Sequence, residues 1–394
     1  MALLFLYMHF YSADFVFDGY RFLPSGSVLC FDNDGYFQSV LSEADPVTIE
    51  FKKGLLMPGM VNVHGHLELS VFKNQIARHT GMVNFLMDIN RLRASFTEED
   101  TLEAIASAEA YMVSRGIVAM GDICNTLLTL EQKKKSNLYY HSFVEVFGLN
   151  PAQAESRMEN ARILCEQYSE WHASSVVLHA PYSVSESLMR QVSNEAPIQS
   201  IHNQESQAES ELFFNAGGPF YQLFEQVGYS GPFYWKKGLS SVQQYLPYLN
   251  KQAQHILVHN TFTTLNDIEF VQKELENVYW CFCPAANVYI ENRLPDISLF
   301  LSKSSRLVLG TDSLASNTEL DLFHEIAIIQ QHIPAIGLEE LLKWATIHGA
   351  KALRMDNHLG SFEKGKKPGL IQLSNVTDHT RLPEHAEVAV LLKA

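Results

Sequence analysis

The segment Leu55-Leu56-Met57-Pro58-Gly59-Met60-Val61-Asn62-Val63-His64-Gly65-His66 decides how the rest of the chain is read. Its apolar run has the length and β-branched content of a buried strand, and two histidines follow at its end. On extended backbone, residues two apart project to the same side, so His64 and His66 aim both imidazoles at one point. Two nitrogens so placed suit one ion, with bonds of about 2.0–2.1 Å.

Working outward, the pattern of strand then helix recurs. Strand candidates are Leu55–Val63, Ile117–Ile123, Leu138–Val146, Ser175–Ala180, Ile198–Ile201, His255–Val258, Asn277–Cys283 and Arg306–Gly310. Between them lie amphipathic stretches such as Thr97–Arg115, Ala152–Tyr168, Glu186–Asn194, Leu265–Leu275 and Glu319–Gln331. Alternation of this kind implies a parallel sheet. Eight units with polar residues at the strand ends predict an α/β fold closed into a (β/α)8 TIM barrel. The competing open, doubly wound sheet would normally bring a Gly-rich phosphate loop, and neither G-x-G-x-x-G nor G-x-x-x-x-G-K-[ST] is present. Residues 206–254, rich in Gly, Pro and aromatics, read as a helix plus an inserted loop near the active face.

The two ends differ from this middle. Ala2–Phe17 reads as a strand, Asn33-Asp34-Gly35 as a turn, and the tail Leu359–Leu392, after a helix Leu338–Leu353, again as short strands. Residues 1–54 and 359–394 are therefore expected to pair into one small sheet-based unit beside a barrel of residues 55–358.

Composition sets the outer limits. Hydrophobic residues make up 46% and charged residues 19% of 394, a globular balance that argues against disorder. A formal net charge of −15 disfavours nucleic acid as a partner. No run of about 18 apolar residues predicts a membrane span. The apolar start Met1–Phe10 lacks the basic region and cleavage site of a signal peptide. Five scattered cysteines without a C-x-x-C predict neither disulfides nor a zinc knot, and favour a reducing, cytoplasmic compartment. Cys281 and Cys283 read as small core residues.

In a barrel the carboxyl ends of all strands meet at one mouth. There stand His64 and His66, then His202 followed by Glu205, then His259, then Asp312. A lone histidine is more often a core or surface residue than a ligand; the set is what carries weight. His202 and Asp312 would add a third nitrogen and an anionic oxygen to the His64/His66 pair. Three neutral imidazoles and a carboxylate leave charge +1 on a divalent ion, which can bring the pKa of bound water toward neutrality. Glu205 reads as an acid–base group, against the plainer reading of a helix-start glutamate. His259 reads as orienting the nucleophile and stabilising developing charge rather than as a fifth ligand. His179 and Glu68 are tentative substrate contacts, with a structural salt bridge the default for Glu68. Arg78, Arg91 and Arg93 follow the histidine pair and read as a solvated helix face in preference to a carboxylate site. The pocket is expected to be lined by loops after strands one, two, three and seven and by the 206–254 insertion.

These residues resemble the amidohydrolase superfamily, in particular its deaminase and chlorohydrolase branch. The matching segments are Met57–His66, His179–Ser185, His202-Asn203-Gln204-Glu205, Val258-His259-Asn260, Cys283–Asn287 and Gly310–Asn317, in order along nearly the whole chain. The resemblance implies a distorted barrel with a composite β-sandwich made by both termini. It implies one divalent metal, zinc before iron, held by His64, His66, His202 and Asp312. It makes Glu205 the proton shuttle, with His259 and Asp312 flanking the attacking oxygen. Two-metal relatives carry a bridging ligand, often a carboxylated lysine, at the end of strand four, where this chain has His179. Members often hydrolyse C–N bonds of aminated heterocycles: guanine, adenosine derivatives, aminofutalosine, triazines. The implied reaction is hydrolytic deamination of such a small molecule; amide or C–Cl hydrolysis at the same site, or a catalytically silent barrel scaffold, are the alternatives. The segment His66-Leu67-Glu68-Leu69-Ser70 looks like members near the aminofutalosine deaminases. A homodimer is an expectation by analogy alone. The chain departs from the pattern at Gly365-Lys366-Lys367-Pro368-Gly369, where relatives commonly have Ala-Asp, and at Ala286, where many have Ser; the latter puts a substrate contact in doubt.

Overall fold

Pro58 and Gly59 break the segment read above as one strand into two. In the computed structural model, which describes residues 8–41, 48–193, 195–231, 233–383 and 386–394, β1 is Met8–Val16, β2 Val28–Asp32, β3 Phe37–Leu41 and β4 Glu50–Met57. Then come β5 Met60–Gly65, β6 Ile117–Cys124, β7 Tyr139–Val146, β8 Ala173–Leu178 and β9 Ile198–Asn203. Next are β10 Gln254–His259, β11 Val278–Phe282, β12 Leu307–Leu309, β13 Leu370–Leu373 and β14 Val388–Leu392. Leu55, Leu56 and Met57, expected at the start of the barrel, pair instead with β1 and β13 in the terminal sheet. Residues 2–7 of the first expected strand lie outside the described residues, as does Asn194 at the end of one expected helix.

The terminal sheet runs β14-β13-β4-β1-β2-β3, so strands from both ends of the chain hydrogen-bond to each other through β13 and β4. Apolar residues occupy both faces, Tyr11, Leu29, Phe31 and Leu56 in one cluster and Phe10, Val28 and Cys30 in another.

β5 to β12 form the barrel as two parallel ladders, β5-β6-β7-β8 and β9-β10-β11-β12. Every residue of β5, β6, β9, β10 and β11 is buried, as expected for parallel strands wrapped by helices. Val61, Val63, Phe143, Val177, Val258, Cys281 and Val308 belong to one buried cluster, and residues of the surrounding helices such as Ile105, Ile326 and Trp344 to another. All five cysteines are free, and Cys281 and Cys283 are fully buried.

The distortion lies at two seams. Between β8 and β9, and between β12 and β5, no regular ladder forms. The first seam is joined by His202 N–H donating to the His179 carbonyl at 2.9 Å, and the second by Thr311 and Asp312 N–H donating to the His64 carbonyl at 3.0 and 3.1 Å. Gly65 and Gly310 allow the second approach: a Cβ on Gly310 would lie 2.8 Å from the His64 carbonyl oxygen, and one on Gly65 3.1 Å from that of Asp312.

Helices begin where the sequence offers caps. Thr97 and Asp100 form a capping box at the start of Glu98–Ser114, and Thr264 and Asp267 do so for Leu265–Glu274. The expected helix Leu338–Leu353 changes pitch through Trp344–His348, a π segment. The insertion is more ordered than one helix and a loop. It holds helices Gln207–Asn215, Phe220–Gln226 and Ser241–Tyr245, broken at Gly217-Gly218-Pro219 and packed through Phe213, Phe220, Phe224 and Trp235. Among the described residues no helix is long and apolar enough to cross a membrane.

Candidate metal centre and its cavity

The seams bring the chemistry together. His64 lies near the end of β5 and His66 directly follows it, His202 lies near the end of β9, His259 ends β10, and Asp312 follows β12. His66 Nε2 lies 3.2 Å from His64 Nε2 and 3.3 Å from His202 Nε2; Asp312 Oδ1 lies 3.3 Å from His66 Nε2 and 3.6 Å from His64 Nε2. An ion with tetrahedral bonds of about 2.0–2.1 Å requires ligand atoms about 3.3–3.4 Å apart. These four separations, 3.2 to 3.6 Å, lie close to that spacing. Candidate ligand atoms of His64, His202, His259 and Asp312 also lie within 4.8 Å of one another, so His259 stands at the same centre.

Ring orientations agree with this. His202 Nδ1 lies 2.8 Å from the His179 carbonyl, which only accepts, so this nitrogen carries the proton and Nε2 offers its lone pair to the centre. His259 Nδ1 lies 2.9 Å from Asn287 Oδ1, whose amide donates back to the His259 carbonyl at 3.4 Å. Burial favours the neutral form that a ligand needs in His66, His202 and His259. It lowers His66 to about 3 against the opposing charge of Asp312, lowers His259 to about 4, and takes His202 well below its usual range. Burial alone would raise Asp312, but the hydrogen bond with His64 and the electrostatic interaction with His66 and His259 outweigh it and lower the carboxyl below its usual range. Ser316 Oγ donates to its other oxygen.

Backbone strain concentrates here. Gln204, His259, Asn260 and Asp312 adopt left-handed φ of 45°, 73°, 60° and 56°. Non-glycine residues keep such angles only where neighbours enforce them, and active sites are the common place. Asn260 N–H, for example, is held by the Asn203 carbonyl at 3.0 Å.

Glu205 Oε1 lies 3.4 Å from His259 Nε2. Burial, together with the charges of Asp312 and Glu209, pushes the Glu205 carboxyl well above the usual range. His66, His202, Glu205, His259 and Asp312 line one cavity of about 480 Å³, a size suited to a small molecule. His179 also lines it, with Nδ1 2.7 Å from Ser183 Oγ.

The cavity corrects several expectations. Glu68 does not reach it: its carboxylate accepts the Thr126 N–H at 2.9 Å, the Thr126 hydroxyl at 2.8 Å and the Asn125 N–H at 3.2 Å. It clamps the loop after β6, and among the described residues no salt bridge to it is found. The loop after β11 contributes no lining residue, because helix Pro284–Glu291 is buried, with Asn287 under His259; Ala286 is fully buried. Arg93 lines the cavity, whereas Arg91 pairs with Asp88 and Arg78 lies over Tyr289. Glu145 and Arg157 were missed. Glu145, raised to about 7 by burial, lies near the end of β7 beside His202, and only its place one residue before a strand end could flag it.

Comparison with known proteins agrees with this construction. Residues 55–390 match the amidohydrolase family. An adenosine deaminase of Helicobacter pylori is 25% identical over 329 residues, covering 81% of this chain and 79% of that protein. A 5-methylthioadenosine/S-adenosylhomocysteine deaminase of Saccharophagus degradans is 25% identical over 348 residues, covering 82% and 72%. The crystal structure of Helicobacter pylori aminofutalosine deaminase with methylthio-coformycin has the same fold, with a TM-score of 0.80 and 22% identity over 93% of this chain and 92% of that one. With the family match extending from β4 through the whole barrel and into the closing strands, this protein is a hydrolytic enzyme and belongs to the amidohydrolase family.

Proposed function

We propose that the protein is a metal-dependent aminohydrolase that replaces the amino group of an aminated purine-type ring, in an adenosine-like nucleoside, with oxygen and releases ammonia. The observation that carries this reading is the meeting, on one cavity wall, of the His64/His66/His202/Asp312 cluster, through His66, His202 and Asp312, with the buried carboxyl of Glu205. The deaminase names of the relatives support the substrate class.

His64, His66, His202 and Asp312 are the residues to hold the ion, and zinc suits this donor set best, with iron accepting the same ligands. A divalent ion there supplies Lewis acidity and acidifies a water toward neutral pH. Glu205 takes the proton of the attacking water, delivers it to the ring nitrogen, and then passes a proton to the departing amine. His259 and Asp312 flank the attacking oxygen, and the Asn287 contact fixes the His259 ring for that task. His179 contacts the substrate at the cavity edge.

Ammonia release from adenosine, 5′-deoxyadenosine and 5′-methylthioadenosine tests the proposal. Turnover of at least one is expected. Silence across all three, with turnover of an amide or a chlorinated heterocycle, would replace it.

A further inference from the structure

We infer that Glu209 is a positioning residue for Glu205, and that the 206–254 insertion sets its position through Ser241. This rests on the reading of Glu205 as the proton carrier.

Glu209 stands in the first turn of helix Gln207–Asn215, whose N-cap is Ser206. In an ordinary capping box the carboxylate at this position returns to the amide of the N-cap itself. Here it reaches further back. Its two oxygens accept the N–H of Gln204 at 3.2 Å and of Glu205 at 2.9 Å. Gln204 is in the left-handed region, at φ 45°, so the peptide that aims Glu205 is one that must be held from outside. Glu209 is fully buried, and the hydroxyl of Ser241 donates to the oxygen that also takes the Gln204 amide.

The same short helix, Ser241–Tyr245, grips the preceding residue too. Tyr245 OH donates to Asn203 Oδ1 at 2.8 Å. The Gln204 side chain is fixed separately, by the Thr263 hydroxyl at 2.9 Å and by Asp267 at 3.1 Å. Every residue from 203 to 205 is thus tied from outside its own strand. The insertion also lines the cavity, with Leu223, Phe224, Val227 and Tyr229. One segment therefore carries both a substrate-facing wall and the support for the proton carrier.

The test is a double-mutant cycle on the holoenzyme, using whichever nucleoside of the panel the wild type deaminates. Glu209→Gln should lower kcat roughly 10- to 100-fold, the scale of a small misplacement of a reacting group. KM, metal content and melting temperature should stay near wild type. The combined Glu205→Gln/Glu209→Gln variant should be no slower than Glu205→Gln alone, because a positioning residue has nothing left to position. Wild-type kcat in Glu209→Gln, or losses that multiply in the double variant, would overturn the inference while leaving Glu205 in its role. Full turnover in Glu205→Gln would overturn both readings at once. If Glu209→Gln does not fold, Ser241→Ala decides: a several-fold loss in kcat without change in KM supports the inference, and unchanged kcat overturns it.

Discussion

The carbonyl oxygen of His64 accepts the backbone N–H of Asp312 at 3.1 Å, so the first and last members of the candidate metal cluster are joined directly across the seam that closes the barrel. Nearly 250 residues of chain separate them. The cluster is therefore a product of closure: strands too divergent for a regular ladder leave room for side chains to turn inward, and two backbone bonds keep the gap narrow.

Gly310→Ala should disturb this seam first. The added Cβ would meet the His64 carbonyl oxygen at 2.8 Å and the His64 Cβ at 2.9 Å, so β5 or β12 must shift. Overpacking of this kind destabilises by about 1–3 kcal/mol. A lower melting temperature together with weaker metal affinity is the expected outcome of thermal unfolding and metal titration. Unchanged affinity would mean that the seam does not set the cluster.

The buried pair of Lys133 and Asp122 should matter out of proportion to its distance from the cavity. Lys133 Nζ lies 2.7 Å from Asp122, both side chains are fully buried, and the other Asp122 oxygen accepts the N–H of Leu67, next to His66. Lys133→Met strands a buried carboxylate and should destabilise the fold by about 3–5 kcal/mol, with Lys133→Met/Asp122→Asn recovering part of the loss. Urea unfolding of the three proteins checks this; equal stability of the single and double variants would remove Asp122 as the cause.

Much of this was legible in the sequence, and the reasons are physical. Strand after strand announced itself as a short β-branched run, and the ligands could be named because each stands at a strand end, where barrel closure must bring them together. Glu68 misled because alternation along a strand was carried into a 3-10 turn, Leu67–Phe72, where that rule stops applying. The apolar run masks the break at Pro58-Gly59, where proline removes a ladder donor and the strand divides into β4 and β5. Glu209 and the Ser241 grip leave no periodic trace in the sequence, since the contact joins the start of one helix of the insertion to another helix some thirty residues on.

Stability should fall with acid in a way traceable to His141. Burial, helped by the charges of Lys133 and Arg354, lowers its pKa from 6.5 to about 3. Between those values the unfolded chain holds a proton there that the folded chain refuses, so stability is full above pH 6.5 and is lost as pH drops toward 3. His141→Gln, which keeps a partner for Ser175 Oγ, should lose less melting temperature between pH 7 and pH 4 than the wild type. Parallel curves would assign the acid loss elsewhere.

Glu205→Gln should keep its metal and lose at least about a hundredfold in kcat, the lower range for a missing acid–base group. Metal analysis beside steady-state kinetics reads both at once. Near-normal turnover would withdraw the proton-carrying role.

The central claim is that three imidazoles and one carboxylate surround a single divalent ion on which turnover depends. Metal analysis with X-ray absorption on the purified enzyme tests it most directly. About one zinc or iron per chain is predicted, with only nitrogen and oxygen neighbours near 2.0–2.1 Å, and with both ion and activity lost in Asp312→Ala. A fully active preparation without stoichiometric metal, or an ion retained unchanged in Asp312→Ala, would contradict it.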